Sequence, residues 1–562
     1  MRPLDWIVLA GALASMIAYG LYKGRGSNTV DKYLLAGKTM PWYAMALSIM
    51  ATQASAITFL TTTGQGYADG MRFVQMYFGL PIAMVIVAST AVPIFHRANV
   101  YTAYEYLEQR FDSKTRALVS AIFMIQRGLA VGLSLAAPAI VLTAILGWPY
   151  RATTVLIAGL VMLYTVTGGV KALTWTDVQQ MGVIFCGLLA ALVTAVWLLP
   201  SHLSFFDAVS LAGAAGKLNA VDLHFDLQNR YNIWSGLIGG TFLALAYFGT
   251  DQSQVQRYLS GKSIAQSRLS LLFNALAKIP MQFVILFTGA MVFVFYLYQQ
   301  PPLLFQPVEL QRIAARNEYR PVAENYNRAF EERKLAADGF LAARRASDAA
   351  LKRESLERYR RAQQEIDQAR ERGIQLARET SGDRNFSDTN SIFLAFVTRY
   401  MPAGIVGLIL AVIFAATMSS IAAEFNSLAT VSVIDIYRRH IRRQASDRHY
   451  LWASRAATAF WGCYAMIFAA RYGQNLGTLV EAVNVVGSLF YGGMLGVFVL
   501  AFGFPRVRGT AAFTGVLAGE AAIFYASFYT SISFLWYNVL GCCVVVAVGL
   551  LLSVRRARIG TV

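Results

Sequence analysis

Charged residues are scarce in this sequence: Asp, Glu, Lys and Arg make up 14% of its 562 residues, whereas they make up roughly 25% of soluble proteins. Hydrophobic residues make up 56%, more than a soluble fold can bury, so a soluble globular protein is excluded. The four cysteines all lie inside apolar runs and are predicted to be small buried side chains rather than disulfides or metal ligands. The five histidines lack the spacing of metal ligands.

Long apolar runs follow one another along nearly the whole chain. About thirteen of them, at about 20 residues each, are long enough to cross a bilayer as a helix. The sequence therefore predicts an all-α polytopic membrane protein with the lipid bilayer as its main partner. The first run lacks a small-residue cleavage site and is interpreted as a helix rather than a signal peptide. The predicted spans are residues 4–23, 40–64, 72–97, 116–147, 151–168, 174–199, 232–250, 268–298, 402–437, 449–471, 477–502, 510–530 and 532–553.

The net charge of +18 is concentrated in short loops after the odd-numbered spans, the most basic being Tyr437–Arg448. Because Lys and Arg accumulate in cytoplasmic loops, this pattern predicts a multi-pass protein of the cell inner membrane. Its N-terminus is predicted to lie outside and its C-terminus in the cytoplasm. A nucleic-acid partner is rejected because the charge follows the loops. No pattern in the sequence predicts an oligomeric state.

One segment, residues 301–390, departs from this pattern. It contains 17 basic and 15 acidic residues and is rich in Ala, Arg, Glu and Gln, which are strong helix formers supported by opposite charges four residues apart. We expect two or three helices in an extramembrane hairpin. The predicted orientation places this hairpin in the periplasm, where a cysteine replacing Ser347 would be open to an impermeant thiol reagent. It is interpreted as a spacer or as a partner-binding or pore-capping element. The predicted organisation is residues 1–300 with spans one to eight, the insert 301–390, and residues 391–562 with the remaining spans.

Polar residues and glycines interrupt three of the spans. A solute or ion crossing lipid needs polar ligands at mid-depth, and broken helices expose the backbone carbonyls that intact helices keep bonded. Hydroxyls bonded to their own helix and small-residue helix packing are the structural alternatives. The interruptions in the second, seventh and ninth spans are the stretch Ala51–Thr58, the glycines Gly236, Gly239 and Gly240, and the stretch Ala415–Ser420.

Three stretches resemble signatures of the sodium:solute symporter family. They are Thr167–Gln180 (TGGVKALTWTDVQQ), Asp251–Ser260 (DQSQVQRYLS) and Gly404–Leu428, the last containing a serine pair. The resemblance covers about residues 5–300 and 390–553. It implies a leucine-transporter-like fold of two inverted five-helix repeats. It also implies a sodium-coupled symporter, not an enzyme, that imports a small organic solute by alternating access.

The resemblance further implies one sodium site, with sodium as the only cofactor and metal. Asp177 matches the family's acidic residue in the sixth span and would attract or relay the ion; a helix-start carboxylate favoured by the dipole is the alternative. Ala422 and Ala423 stand where some relatives hold a second sodium with hydroxyls, so a second ion of that type is not expected. The implied ligands are the carbonyl oxygens of Ala51, Ala54 and Ala416 and the hydroxyls of Ser419 and Ser420.

For the solute, Tyr247 matches a gating aromatic of the sugar-carrying relatives, but Ala244 stands where those relatives have an amide. Arg127 lies deep in the fourth span, where an unpaired guanidinium costs a few kcal/mol. A carboxylated solute would pair with it, and snorkelling to the interface is the alternative. Lys278 is a second candidate, with a structural or gating role as the alternative. The predicted solute contacts are Gln53, Ser55, Thr58, Gln75, Arg127, Tyr247 and Lys278.

Other functions remain open from the sequence alone. A neutral sugar is the alternative solute, and a proton is the alternative coupling ion on the same fold. A transporter-like sensory membrane protein belongs to a different class, but only about ten residues follow the last predicted span, and such sensors normally add a cytoplasmic kinase.

Overall fold

The computed structural model describes residues 2–346, 348–383, 386–473 and 479–559, and within them the chain is helical and contains no β-strand. Two 3₁₀ segments (Ala36–Lys38 and Gly70–Tyr77) and two π-helical segments (Ser235–Gly239 and Ser432–Ile441) adjoin the α-helices. The α-helices of the described residues are α1 Pro3–Gly24, α2 Val30–Leu35, α3 Trp42–Gln53, α4 Ala56–Ala68, α5 Leu80–Ser89, α6 Ala91–Ala98, α7 Ala103–Arg110, α8 Ser113–Leu146, α9 Tyr150–Trp197, α10 Phe205–Ala214, α11 Gly240–Gly249, α12 Gln252–Leu259, α13 Ile264–Tyr298, α14 Pro307–Ala314, α15 Tyr319–Arg345, α16 Ala349–Ser381, α17 Thr389–Tyr400, α18 Ile405–Val431, α19 Asp447–Tyr472, α20 Leu479–Gly503, α21 Gly509–Tyr529 and α22 Leu535–Ile559.

The membrane-spanning helices agree with the predicted spans in position. In the described part of the chain, nine helices are long and apolar enough to cross a membrane, or up to ten if the bent pair α3–α4 forms one span. The predicted span 232–250 corresponds to the shorter apolar helix Ser235–Gly249. The predicted span 449–471 corresponds to α19, which has 26 residues but is not among the nine helices that are apolar enough to cross a membrane.

Helix α9 contains two predicted spans, 151–168 and 174–199. A straight helix of its 48 residues would be about 72 Å long, far more than the roughly 30 Å hydrocarbon core. The two arms meet at Gly169, whose φ of 61° and ψ of −170° are not helical. A Cβ at this position would lie 2.5 Å from the backbone oxygen of Tyr33, so the turn requires glycine.

Helix α18 is at the centre of the molecule. In the most apolar 18-residue stretch of Ile405–Ile441, 89% of the residues are buried. The helix packs against α1, α3, α8 and α9. The small residues Ala415, Ala416 and Ser419 are all buried. Small side chains allow helices to approach closely, and here they bring α18 against the bent pair α3–α4.

The charged insert forms three helices, α14 to α16, of which α15 and α16 make a hairpin. The hairpin rests on α10, where Arg344 and Arg345 contact Asp207 at 3.4 and 2.9 Å. Burial raises the pKa of Asp207, but hydrogen bonds from Arg345 and Ser204 outweigh this effect and lower it overall, so the contact persists below the usual Asp range. The predicted helices are therefore present, while Ser347 lies outside the described residues.

Candidate functional site

The second predicted span is broken where its polar stretch indicated. Helix α3 ends at Gln53 and α4 begins at Ala56, with a bend of 57°. Ser55 caps α4 by accepting a hydrogen bond from the Thr58 backbone N–H at 3.3 Å, and the Thr58 hydroxyl donates to the Gln53 carbonyl at 3.0 Å. These bonds hold the break open, so the carbonyls of residues 51–54 lie at an interrupted helix end.

Ser420 of α18 lies directly against this break. Its hydroxyl is 3.0 Å from the Thr52 carbonyl oxygen and 3.1 Å from the Ala416 carbonyl oxygen. Ala51 and Ala54 flank Thr52 in the same interruption. Hydroxyl and carbonyl oxygens are the ligand types that a hard cation prefers, and the residues present fit a sodium ion.

Asp177, predicted to attract or relay the ion, lies in a hydrogen-bond network beside that oxygen cluster. One carboxylate oxygen accepts from the Ser419 hydroxyl at 2.6 Å, and the other accepts from Ser48 and Arg257, each at 2.5 Å. All four side chains are buried. The guanidinium of Arg257 thus supplies the positive charge that Asp177 needs. Ser419 connects this network to α18, where its neighbour Ser420 contacts the broken helix.

Arg127 is also held in a buried network, which corrects its interpretation as an unpaired charge and excludes snorkelling. Its guanidinium pairs with Asp251 and, at 3.0 Å, with Glu424, and it donates to the Tyr491 hydroxyl at 2.7 Å. Asp251 is bonded further by Ser253, whose backbone N–H and hydroxyl donate at 2.9 and 2.7 Å. Protein carboxylates therefore already compensate Arg127, and its presence no longer requires an anionic solute.

A central cavity of about 170 Å³ opens between the break and these networks. Six of the seven predicted solute contacts line it, together with Ser420 and Glu424. The six are Gln53, Ser55, Thr58, Arg127, Tyr247 and Lys278. Much of the remaining wall is apolar, formed by Met76, Leu80, Leu243, Ala244, Phe248 and Val483.

Gln75, the seventh predicted solute contact, does not line this cavity. It lies in the 3₁₀ segment before α5, where its side-chain N–H donates to the Tyr231 carbonyl at 2.9 Å and its oxygen accepts from the Asp222 backbone at 2.9 Å. The helical part of that span begins at Leu80. Gln75 therefore anchors a loop at the end of the span.

Lys278 differs from both arginines because no described carboxylate pairs with it. It is fully buried, and its ammonium donates to the Gln53 carbonyl at 3.3 Å. The ring of Tyr77 lies 5.4 Å away. The side chain thus extends from α13 to the break in α3–α4 and carries its charge into the central cavity.

Sequence reasoning missed Arg257, Asp251, Glu424 and Tyr491 as parts of the site. Glu424 carried a readable signal, because it is the sole acidic residue within α18, Ile405–Val431, and a charge inside an apolar span marks function by default. Asp251 and Arg257 lie in the quoted DQSQVQRYLS stretch. Tyr491 had no such signal, since aromatics are common in spanning helices.

Comparisons with known proteins show which proteins this chain resembles. The sequence profile of the sodium:solute symporter family matches residues 33–315 and 380–519. Sodium-coupled monocarboxylate transporter 1 of Homo sapiens is 26% identical over 520 residues, covering 92% of this chain and 72% of the relative. The sodium-dependent multivitamin transporter of Oryctolagus cuniculus is 26% identical over 529 residues, covering 93% and 70%.

The sodium/glucose cotransporter of Vibrio parahaemolyticus is also 26% identical, over 531 residues that cover 92% of this chain and 83% of the relative. The solved structure of a Na⁺-coupled sialic acid symporter in a substrate-bound outward-open state superposes with a TM-score of 0.77 at 23% identity, covering 98% of each chain. That superposition confirms the predicted fold. With the profile matching most of its length, the chain belongs to the sodium:solute symporter family.

Proposed function

We propose that this chain is a sodium-coupled secondary active symporter that imports a small organic solute by alternating access. The observation that carries the proposal is the shared wall of the two candidate sites. Ser420, on the ion side, and Gln53 and Lys278, on the solute side, line one cavity at the break in α3–α4. An ion that orders the break therefore also orders the solute contacts, which is the physical basis of coupling.

The proposed ion site is formed by α18 and the broken helix. Its ligands are the carbonyls of Ala51, Ala54 and Ala416 and the hydroxyls of Ser419 and Ser420. The contacts of Ser420 with Thr52 and Ala416 support this set. Sodium there would neutralise the carbonyl dipoles at the broken helix end and link α18 to α3.

The proposed solute is a carboxylate. A buried ammonium without a counter-ion is costly in a membrane interior, and a solute carboxylate in contact with Lys278 would remove that cost. The relatives named as monocarboxylate and multivitamin transporters support this choice. The relative named as a sodium/glucose cotransporter keeps a neutral sugar as the second candidate.

The double substitution Ser419→Ala and Ser420→Ala tests the ion site. It removes two of the proposed oxygens, so we expect the half-saturation for sodium to rise by at least about tenfold, because one good ligand is worth about 1.4 kcal/mol. The measurement is solute uptake into proteoliposomes as a function of sodium concentration at two pH values. The matched control is Ser427→Ala, whose hydroxyl is bonded to the Glu424 carbonyl on the same helix. An unchanged sodium dependence in the double variant, or full uptake without sodium, would contradict the ion site.

The chain is a multi-pass membrane protein, and we place it in the inner membrane with the insert in the periplasm and the C-terminus in the cytoplasm. In a cysteine-free background, Ala350→Cys at the exposed start of α16 should react with an impermeant maleimide in intact spheroplasts. Lys114→Cys, exposed at the opposite, basic side, is the control and should react only after lysis. The reverse pattern would mean that the orientation is inverted.

A further inference from the structure

A second cavity, of about 360 Å³, lies between the insert and the spanning helices. The wall on the membrane side is formed by the end of α4, by Lys217 and by Phe293 of α13. The opposite wall is formed by α15 and α16, and much of it falls within residues 316–379, which the family profile does not match. The cavity is therefore separate from the central site and is lined largely by a segment that the family profile does not match.

The wall of this outer cavity is strongly charged. The cations Lys217, Arg333, Arg370 and Arg378 and the carboxylates Asp69, Asp367 and Glu371 line it, and a fourth carboxylate, Asp388, pairs with Arg370 beside the wall. Each of the three lining carboxylates already accepts a hydrogen bond from a protein side chain: Gln65, Gln363 and Arg378, respectively. Each carboxylate of the wall therefore has at least one hydrogen-bond donor within the protein.

Two of the cations, Lys217 and Arg333, are unmatched in the sense that they donate to carbonyl and amide oxygens rather than to carboxylates. Lys217 donates to the Ala68 carbonyl, and Arg333 donates to the Tyr296 carbonyl at 2.8 Å and to the Gln363 amide oxygen at 3.4 Å. Neither forms an ion pair with a carboxylate in the part of the chain that the structure describes, in contrast to Arg370, which pairs with Asp388 at 2.6 Å. Both are at least nine-tenths buried, with Arg333 2% and Lys217 9% exposed.

The two unmatched cations lie beside the same aromatic ring of the cavity wall. Their charged groups are 4.9 Å (Lys217) and 5.9 Å (Arg333) from the centre of the same Phe293 ring. Burial lowers the pKa of Lys217, and the attraction of Asp367 and Asp69 does not restore it. An anion beside Lys217 would stabilise its charged form.

We propose that this outer cavity binds a small oxyanion, a carboxylate or a phosphate, through Lys217 and Arg333. A planar guanidinium and a buried ammonium are the protein groups that recognise carboxylate and phosphate oxygens. Because Ala68 is the last residue of α4, the bound oxyanion joins the insert to the helix that begins at the break. This site does not depend on the solute assigned to the central cavity.

Equilibrium dialysis of purified full-length protein with radiolabelled lactate tests the proposal. We use the Lys278→Gln variant, in which the proposed central contact is removed, and expect one lactate bound per chain. Lys217→Gln in this background stays polar but loses the charge, and should weaken binding at least about tenfold. Arg333→Gln should do the same, whereas Arg328→Gln, exposed on α15 and outside the cavity wall, should have no effect.

Inorganic phosphate distinguishes the two sources of the oxyanion. Radiolabelled phosphate is dialysed in the same way. If lactate and phosphate both bind and both depend on Lys217, the site binds oxyanions generally; if only one of them binds, the site is selective for that class. The proposal is overturned if neither probe binds, or if binding is the same in the Lys217→Gln, Arg333→Gln and Arg328→Gln proteins. Failure of the central assignment has a different signature, namely equal lactate stoichiometry with and without Lys278.

Discussion

Replacing Lys278 by glutamine is expected to weaken the binding of a carboxylated solute by about ten- to a hundredfold, because a hydrogen bond to a charged group contributes about 1.5–3 kcal/mol. Glutamine is polar but uncharged and shorter, so it removes the ammonium that contacts the Gln53 carbonyl at 3.3 Å. Lys278→Arg keeps the charge with a different shape, and its affinity for the solute should lie between those of the parent protein and the Lys278→Gln variant.

The measurement is the half-saturation of sodium-driven uptake for lactate and for glucose, with sodium affinity determined separately without solute. A carboxylate contact lowers the affinity for lactate alone and leaves the affinity for sodium unchanged. A gating role for Lys278 would instead slow the transport of any solute at unchanged affinity. If lactate binds the glutamine variant as tightly as the parent protein, the carboxylate assignment is wrong.

The break in the second span was predictable because its cause is local. A run of hydroxyl and amide side chains inside an apolar helix, such as Gln53, Ser55 and Thr58, competes for backbone groups and ends the helix. The same holds for the turn at Gly169, which a Gly-Gly pair indicates. The depth of Lys278 in its span was also readable, since hydropathy fixes where a residue lies along the membrane normal.

The partners of the buried charges were not predictable, because pairing depends on which helix faces meet. Arg127 pairs with Asp251 and Glu424, which are 124 and 297 residues away in the chain. Single-sequence periodicity gives the depth of each charge but not its neighbours. The sequence therefore does not distinguish an arginine whose charge is paired with protein carboxylates from one that binds an anionic solute. The position of Gln75 outside the cavity wall was not predictable for a related reason, because its span begins with a 3₁₀ segment, in which the side chains are spaced differently from those of an α-helix.

Arg127→Gln is expected to lower the free energy of unfolding by about 3–5 kcal/mol, because removing one partner of a buried ion pair leaves the remaining charge uncompensated. Here two carboxylates, Asp251 and Glu424, would face each other without a cation between them. Glu424 is affected more than Asp251, since in the described residues its carboxylate accepts a hydrogen bond from Arg127 alone. Its second oxygen has no hydrogen-bond partner among the residues that the structure describes.

The matched control is Glu424→Gln, which should cost far less. The pair of Arg127 with Asp251 remains, and Asp251 keeps its bonds from Ser253 and from the Tyr491 hydroxyl at 2.8 Å. The double variant Arg127→Gln with Glu424→Gln should recover much of the loss, because a single well-bonded carboxylate is left. Stability is measured by denaturant unfolding of the purified protein in mixed micelles.

This asymmetry separates an internal ion network from a solute contact. If Arg127 served only to bind the solute, its replacement would leave the stability of the solute-free protein unchanged, and Glu424→Gln would restore nothing. If it balances Asp251 and Glu424, the solute-free protein is destabilised, and the second substitution relieves the excess negative charge. The network then fixes α8, α12, α18 and α20 around the cavity, which leaves Lys278 as the buried cation there without a described carboxylate partner and available to the solute.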